Sequence, residues 1–132
     1  MSGEKNLQEL LKNIHPVLNE GEYVFCTAMP GTDVSDEDII GMFKEKEGST
    51  IILKKQKADE LKLGYTWVAA WITLQVHSSL AATGFTAAFA TALAGENIGC
   101  NVVAAYYHDH IFTDTNDAEK AMSVLKNMAS AS

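Results

Sequence analysis

The chain has 132 residues and a net charge of −7 at pH 7, from 17 acidic side chains and ten lysines, with no arginine. Nucleic-acid and phosphate-binding proteins need clustered cations and rely on arginine for bidentate contacts, so this composition excludes nucleic acid and an anionic membrane surface as expected partners. The length predicts one compact domain or two very small fused ones. The N-terminus lacks the apolar stretch of a signal peptide, so we expect a cytoplasmic protein.

In the N-terminal half, apolar residues at helical spacing predict a helix over residues 7–14, which Pro16 ends. Aromatic and β-branched residues then predict a strand over 22–28. A second strand is predicted over 49–55 for the same reason.

A second helix is predicted between these two strands. Ser35 is a suitable N-cap, and the three acidic residues after it favour the positive end of a helix dipole. Ile39, Ile40 and Phe43 would form its apolar face, and Gly48 would end it. The predicted order of this half is therefore helix-strand-helix-strand.

The C-terminal half predicts five elements in the order β-α-β-β-α. They are a strand over 66–76, a helix over 85–97, a strand over 98–107, a short strand over 111–114 and an amphipathic helix over 114–129. The His-Asp-His triplet at 108–110 is predicted as the tight connection of a hairpin. This order is five-sixths of a ferredoxin-like βαββαβ unit, so the predicted class is α+β.

Charged residues are distributed unevenly along the sequence. Residues 1–64 carry eight lysines and twelve acids, whereas residues 65–132 carry two lysines and five acids. The Lys-rich and then Gly-containing stretch 54–66 breaks the apolar pattern, so we expect two parts, 1–62 and 63–132. Both halves contain a helix, a following strand and a glycine near the helix end, which leaves open whether the N-terminal half is a degenerate second module.

The run GFTAAFATALAGENIGCNVVAAYYHDHIFTDTNDAEKAMSVL, Gly84 to Leu125, resembles an ACT-type ligand-binding domain. It is similar to the modules of aspartate kinases and closer still to the tandem ACT-like modules of cytosolic arginine sensors. The shared features are a glycine at the first strand-helix turn, a small-residue helix, an aspartate at the hairpin and a closing helix. Over essentially its whole length, through VHSSL, GFTAAF, NVVAAYYHDH, YVFCT and EGSTIIL, the sequence resembles a small bacterial family of ACT-like proteins of unknown function.

The resemblance implies a βαββαβ fold, modules placed side by side, and binding of a small molecule, usually an amino acid, at a module or subunit interface. It implies no catalysis and no cofactor. The sequence departs from the family at its end, because no room remains for a last strand after Ala129. Either the segments 7–14 and 22–28 or a neighbouring chain would supply it. The helix over 85–97 has small or apolar residues on all of its faces, so other parts of the protein should pack against more than one of them. We therefore also expect a homo-oligomer, most simply a dimer.

The expected ligand-binding residues form two groups. They are His77, Ser78, Ser79, Leu80 and Gly84 around the start of a helix, and Asn101, His108 and Asp109 around the hairpin. A loop that leads into a helix presents unpaired backbone N–H groups, which suit a carboxylate. The resemblance matches Asp109 to the acidic residue that contacts a cationic ligand in arginine sensors. Two simpler roles remain open. Ser79 or Thr83 would only cap the helix, and Asp109 would only hydrogen-bond its own backbone in the turn.

Two other functions stay open at this point. His77, His108 and His110 have the side chains and spacing of a metal site, in a metal-binding protein or a metal-dependent enzyme. Alternatively, the chain is a ligand-free interaction module that regulates a partner. A hydrolase is not expected, because Ser78 and Ser79 lie outside any nucleophile-elbow motif.

Overall fold

The computed structural model describes residues 11–29, 31–75 and 84–131. It divides into two compact units, unit 1 (residues 1–19 and 70–132) and unit 2 (residues 20–69). Within the described residues the strands are β1 (His15–Leu18), β2 (Tyr23–Ala28), β3 (Gly41–Glu45), β4 (Gly48–Lys54), β5 (Val68–Gln75), β6 (Asn101–Ala104) and β7 (Asp109–Asp114). The helices are α1 (Lys55–Glu60), α2 (Phe85–Gly95) and α3 (Ala118–Ala131), with 3₁₀ helices at Asp36–Asp38 and Thr115–Asp117. None of these helices is long and apolar enough to span a membrane.

Unit 1 contains four strands in the order β1-β5-β7-β6. β1 pairs antiparallel with β5, with Leu18 opposite Ile72, and β7 lies along the other edge of β5 and pairs antiparallel with β6. Helices α2 and α3 pack on one face of these strands. The core between them consists of Ile14, Ile72, Leu74, Phe85, Phe89, Leu93, Ile98, Ile111, Ala121 and Leu125. The side chains that α2 buries recur every fourth residue, as one apolar stripe of a helix requires.

The last strand that the C-terminal half lacks is supplied by the same chain. β1 occupies that place, although the sequence suggested the segments 7–14 and 22–28 for it. Pro16 lies inside β1, opposite Leu74, at a position that an edge strand tolerates because proline has no N–H to donate. Most of the predicted helix 7–14 lies outside the described residues.

Unit 2 contains the hairpin β3–β4, with β2 paired antiparallel to the other edge of β4. The first residues of β5 pair with β2, with Tyr23 opposite Ala69. Helix α1 packs on this sheet, and the core consists of Val24, Cys26, Ile51, Leu53 and Ala58. β2 and β4 confirm the strands predicted over 22–28 and 49–55.

The helix predicted to begin at Ser35 is wrong. Only three residues, Asp36–Asp38, form a 3₁₀ helix, and the side chain of Ser35 makes no capping hydrogen bond. The chain then pairs with β4, where the N–H of Ile40 donates to the carbonyl of Ile52 at 2.7 Å. Pairing with a buried strand outweighs the local preference of the acidic segment for a helix start. Gly48 accordingly begins β4 instead of ending a helix.

In the C-terminal half the predicted elements are confirmed as β5, α2, β6, β7 and α3, but the position of the hairpin turn is wrong. The turn is made by Tyr106 and Tyr107, and the N–H of Ala105 donates to the carbonyl of His108 at 3.1 Å. Asp109 and His110 are already in β7, because the ladder closes with Ala104 opposite Asp109. The two tyrosines are 80% and 76% exposed, as residues at the tip of a turn can be.

Candidate ligand-binding site

β7 separates the polar residues of the hairpin onto two faces of the unit 1 strands. Ile111 belongs to the core under α2 and α3, so Asp109 and Thr113, two residues to either side of it, share its helix-covered face. His110 and Phe112 point to the opposite face, which we call the His110 face. Neighbouring residues of the triplet therefore have different surroundings.

Asp109 is a largely buried residue, 9% exposed, whose carboxylate makes no hydrogen bond or ion pair with another described residue. Its two oxygen atoms are not among the fully buried, unpartnered atoms of the described residues, which are Nδ1 of His108 and Oγ1 of Thr113. Burial raises the pKa of Asp109, and the charge of His110 opposes that change. Buried carboxylates are normally paired, since an unpaired one costs free energy. A cationic group brought to this position would relieve the cost.

The other predicted ligand-binding residues have different positions. His77, Ser78, Ser79 and Leu80 lie outside the described residues. Gly84 is the N-cap of α2 and has a φ of 85°, in the left-handed region that favours glycine. No side chain caps the helix there, and the first N–H groups of an α-helix have no partner within the helix.

Asn101 is not beside Asp109. It lies in β6 opposite Phe112, so the two predicted residues are on different faces and about 10 Å apart along the ladder. The side-chain amide of Asn101 lies 3.4 Å from the carbonyl of Phe112, to which it donates. His108 follows the turn, and its Nδ1 atom is buried without a hydrogen-bond partner in the described part of the chain.

Sequence reasoning missed a polar network on the His110 face. The indole N–H of Trp71 donates to Nδ1 of His110 at 3.0 Å, and the hydroxyl of Thr73 lies 3.3 Å from the same nitrogen. The side-chain amide of Asn19 donates to Oγ1 of Thr73 at 3.0 Å and to the carbonyl of Trp71 at 3.2 Å. The i, i+2 placement of Trp71 and Thr73 in an apolar strand was the available signal.

The network fixes the protonation of His110. An indole N–H is a donor only, so Nδ1 of His110 must accept, and the ring of this neutral histidine carries its proton on Nε2. Burial lowers the pKa of His110, the charge of His108 lowers it further, and Asp109 acts in the opposite direction. His110 is therefore a neutral member of a structural hydrogen-bond network.

Metal and nucleophile chemistry find little support in the described residues. Within 11–29, 31–75 and 84–131, no group of three His, Cys, Asp or Glu side chains is arranged to hold a metal ion. The predicted metal site includes His77, which lies outside these ranges, so it stays a prediction. Burial raises the pKa of Cys100 to about 11, which keeps that thiol protonated and unreactive at neutral pH.

Solved structures resemble this chain over most of its length. A Vibrio cholerae protein of unknown function, described as a possible transport protein, is 42% identical, with a TM-score of 0.82 over 97% of this chain and 99% of its own. An Agrobacterium tumefaciens protein is 18% identical, with a TM-score of 0.65 over 89% and 90% of the two chains. The ligand-free regulatory subunit of aspartate kinase from Thermus thermophilus is 10% identical, with a TM-score of 0.62 over 86% and 95%, and shows the fold alone. Among curated proteins, none matches the chain.

The sequence matches one family twice. Residues 2–70 match the ACT domain, and residues 68–127 match it again. The two matches together span nearly the whole chain, and they agree with the ferredoxin-like strand order of unit 1. The chain thus belongs to the ACT domain family and contains two ACT domains in tandem.

Proposed function

We propose that this chain is a non-catalytic regulatory protein of the cytoplasm that binds an amino acid through unit 1. The observation that carries the proposal is Asp109, a residue that is 9% exposed and whose carboxylate makes no hydrogen bond or ion pair with another described residue. Such a group is costly unless a ligand pairs with it. Similarity to arginine sensors, whose acidic residue at the matching hairpin position contacts a cationic ligand, supports the same role.

The ligand would be held by opposite charges. Asp109 would accept hydrogen bonds from its ammonium or guanidinium group, and charge-assisted bonds of this kind are among the strong ones. The start of α2 at Gly84 and the loop residues His77, Ser78, Ser79 and Leu80 would receive its carboxylate through N–H and hydroxyl donors. His108 completes the proposed set, and Asn101 is left out of it because it lies on the other face, opposite Phe112. A second copy of the chain, in a homodimer, would cover the bound molecule.

A thermal-shift screen of the twenty proteinogenic amino acids tests the proposal. A ligand present at roughly a hundred times its dissociation constant should stabilise the fold by about 2.7 kcal/mol. Asp109→Asn should abolish that shift, while the matched control Asp33→Asn, at an exposed site in unit 2, should keep it. A flat screen at millimolar concentrations, or a shift that survives in Asp109→Asn, would contradict amino-acid binding at this residue. A flat screen would favour a ligand-free interaction module.

A second candidate function is metal binding by His77 and His108, without His110, whose Nδ1 accepts the indole N–H of Trp71 and whose Nε2 carries the proton. The observation in its favour is the Nδ1 atom of His108, which is buried without a hydrogen-bond partner among the described residues. A neutral imidazole nitrogen of this kind is a common zinc ligand. Elemental analysis of protein purified without a histidine tag tests it. A stoichiometric transition metal that is lost in His108→Gln supports the site, and less than about a tenth of an equivalent rejects it.

A further inference from the structure

The two ACT domains carry the same hairpin at the same place in their folds. In unit 1 the ladder of β6 and β7 closes with Ala104 opposite Asp109. In unit 2 the ladder of β3 and β4 closes with Glu45 opposite Gly48. Gly48 is therefore the topological counterpart of Asp109, since each is the first residue of the strand after the turn.

The backbone of unit 2 does not accommodate a carboxylate at this position. Gly48 has a φ of 147°, which side-chain-bearing residues rarely adopt. A Cβ atom there would lie 3.2 Å from Oγ1 of Thr27 and 3.6 Å from Sδ of Met29. The nearby acids, Glu45 and Glu47, are exposed, and Glu45 already accepts a hydrogen bond from Thr50. Carboxylates in water attract a cationic ligand only weakly.

The helix that would receive the ligand's carboxylate also differs between the two units. In unit 1, β5 is followed by α2, which has eleven residues and begins at the left-handed Gly84. In the described residues between β2 and β3 of unit 2, the chain forms only the three-residue 3₁₀ helix Asp36–Asp38. All three of its residues are acidic, so this segment repels a carboxylate.

We infer that the chain holds a single amino-acid site, in unit 1, and that unit 2 is the non-binding member of the tandem pair. The inference rests on the proposed function and extends it. Unit 2 lacks both the buried carboxylate for a cation and the helix start for an anion within residues 20–29 and 31–69. Each chain then takes up at most one ligand, and binding within a chain is not cooperative.

Isothermal titration calorimetry of the whole chain with L-arginine tests the inference. We expect at most one equivalent bound per chain and an affinity at least tenfold lower in Asp109→Asn, with no residual site. Asp33→Asn should leave both values unchanged. The methyl signal of Met29, which lies beside Gly48 in unit 2, should stay unmoved in an NMR titration, while the indole N–H signal of Trp71 in unit 1 shifts.

The outcomes separate this inference from the proposed function. Two equivalents per chain, an unchanged one-site isotherm in Asp109→Asn, or a shift of the Met29 signal would overturn the assignment of one site to unit 1. The proposal that the protein binds an amino acid would survive two equivalents. If L-arginine does not bind, by heat and by NMR, and the screen of the twenty amino acids is also flat, both are overturned.

Discussion

The indole nitrogen of Trp71 lies 3.0 Å from Nδ1 of His110 and donates its proton to it. The two rings are 5.7 Å apart and tilted by 47°, so the contact is a hydrogen bond at the ring edge and not a stack. Protonation of Nδ1 would place two N–H groups against each other. Trp71 therefore keeps His110 neutral, and the pair joins β5 to β7 on the His110 face.

Removing the indole donor should weaken unit 1. We expect Trp71→Phe to lower the free energy of unfolding by about 1 kcal/mol through the hydrogen bond alone, with a further loss from poorer packing against Phe112. The pKa of His110 should rise towards its ordinary value. Chemical denaturation and an NMR pH titration of the histidine signals measure the two effects. Trp67→Phe in unit 2 is the matched control and should leave the His110 titration unchanged.

The low pKa of His110 also predicts a pH dependence of stability. Below about pH 6.5 the unfolded chain takes up a proton at this residue before the folded chain does, so the free energy of unfolding falls as the pH falls. His110→Gln should remove this decline, and the difference between wild type and variant should shrink from pH 7 to pH 5. A constant difference over that range would show that His110 titrates alike in both states.

The sequence predicts most elements correctly because their patterns are local. The aromatic and β-branched residues of β2, β4 and β5 suffice to place those strands, and α3 is evident from the spacing of Ala121 and Leu125. The segment at Asp36–Asp38 is mispredicted because a pairing with β4, not local preference, decides its conformation. β1 was missed because four residues that include Pro16 carry no strand pattern.

The candidate site was predictable only in part, for a similar reason. Asp109 was singled out by a resemblance that spans the C-terminal half and has an aspartate at the hairpin, although the sequence placed it in the turn and not in β7. Asn19, Thr73 and His110 come together only through the pairing of β1 and β7 with β5. The hydrogen-bonded partners in that network are 37 to 54 positions apart in the sequence, so the spacing of Trp71 and Thr73 indicates a shared strand face but not their partners.

The carboxylate of Asp109 should destabilise the ligand-free protein. Because Asn has nearly the same shape and no charge, we expect Asp109→Asn to raise the free energy of unfolding by about 1 to 2 kcal/mol at pH 7. The pKa of Asp109 is raised in the folded protein, which gives the sign of the pH effect. The ionised carboxylate lowers the free energy of unfolding at pH values above its folded-state pKa, and this loss disappears below about pH 3.9, the pKa of an unperturbed aspartate. Urea denaturation between pH 4 and pH 7 measures the gain. Asp33→Asn should change stability by less than about 0.5 kcal/mol, and a destabilised Asp109→Asn would reveal a partner that pairs with the carboxylate.

Thr113 and Thr73 should respond oppositely to the same substitution. Thr113 is fully buried and its hydroxyl has no hydrogen-bond partner in the described residues, so Thr113→Val should raise the free energy of unfolding by about 1 kcal/mol. Thr73→Val should lower it by a similar amount, because the side chain of Asn19 loses its acceptor. Thermal and urea unfolding measure both variants. Equal effects of one sign would show that the two hydroxyls have similar surroundings.

The N-terminal segment should be as necessary to unit 1 as its C-terminal helix. Ile14 is 5% exposed and packs in one core cluster with Ile72, Ile111 and Leu125. Ile14→Ala should therefore lower the free energy of unfolding by about 2 to 5 kcal/mol, in the same range as Leu125→Ala. Leu18→Ala, at the half-exposed end of β1, is the matched control and should cost less than about 1 kcal/mol. Hydrogen exchange of the amides in β5 should accelerate in Ile14→Ala, because β1 pairs directly with that strand; unchanged protection there would mean that unit 1 is stable without its N-terminal strand.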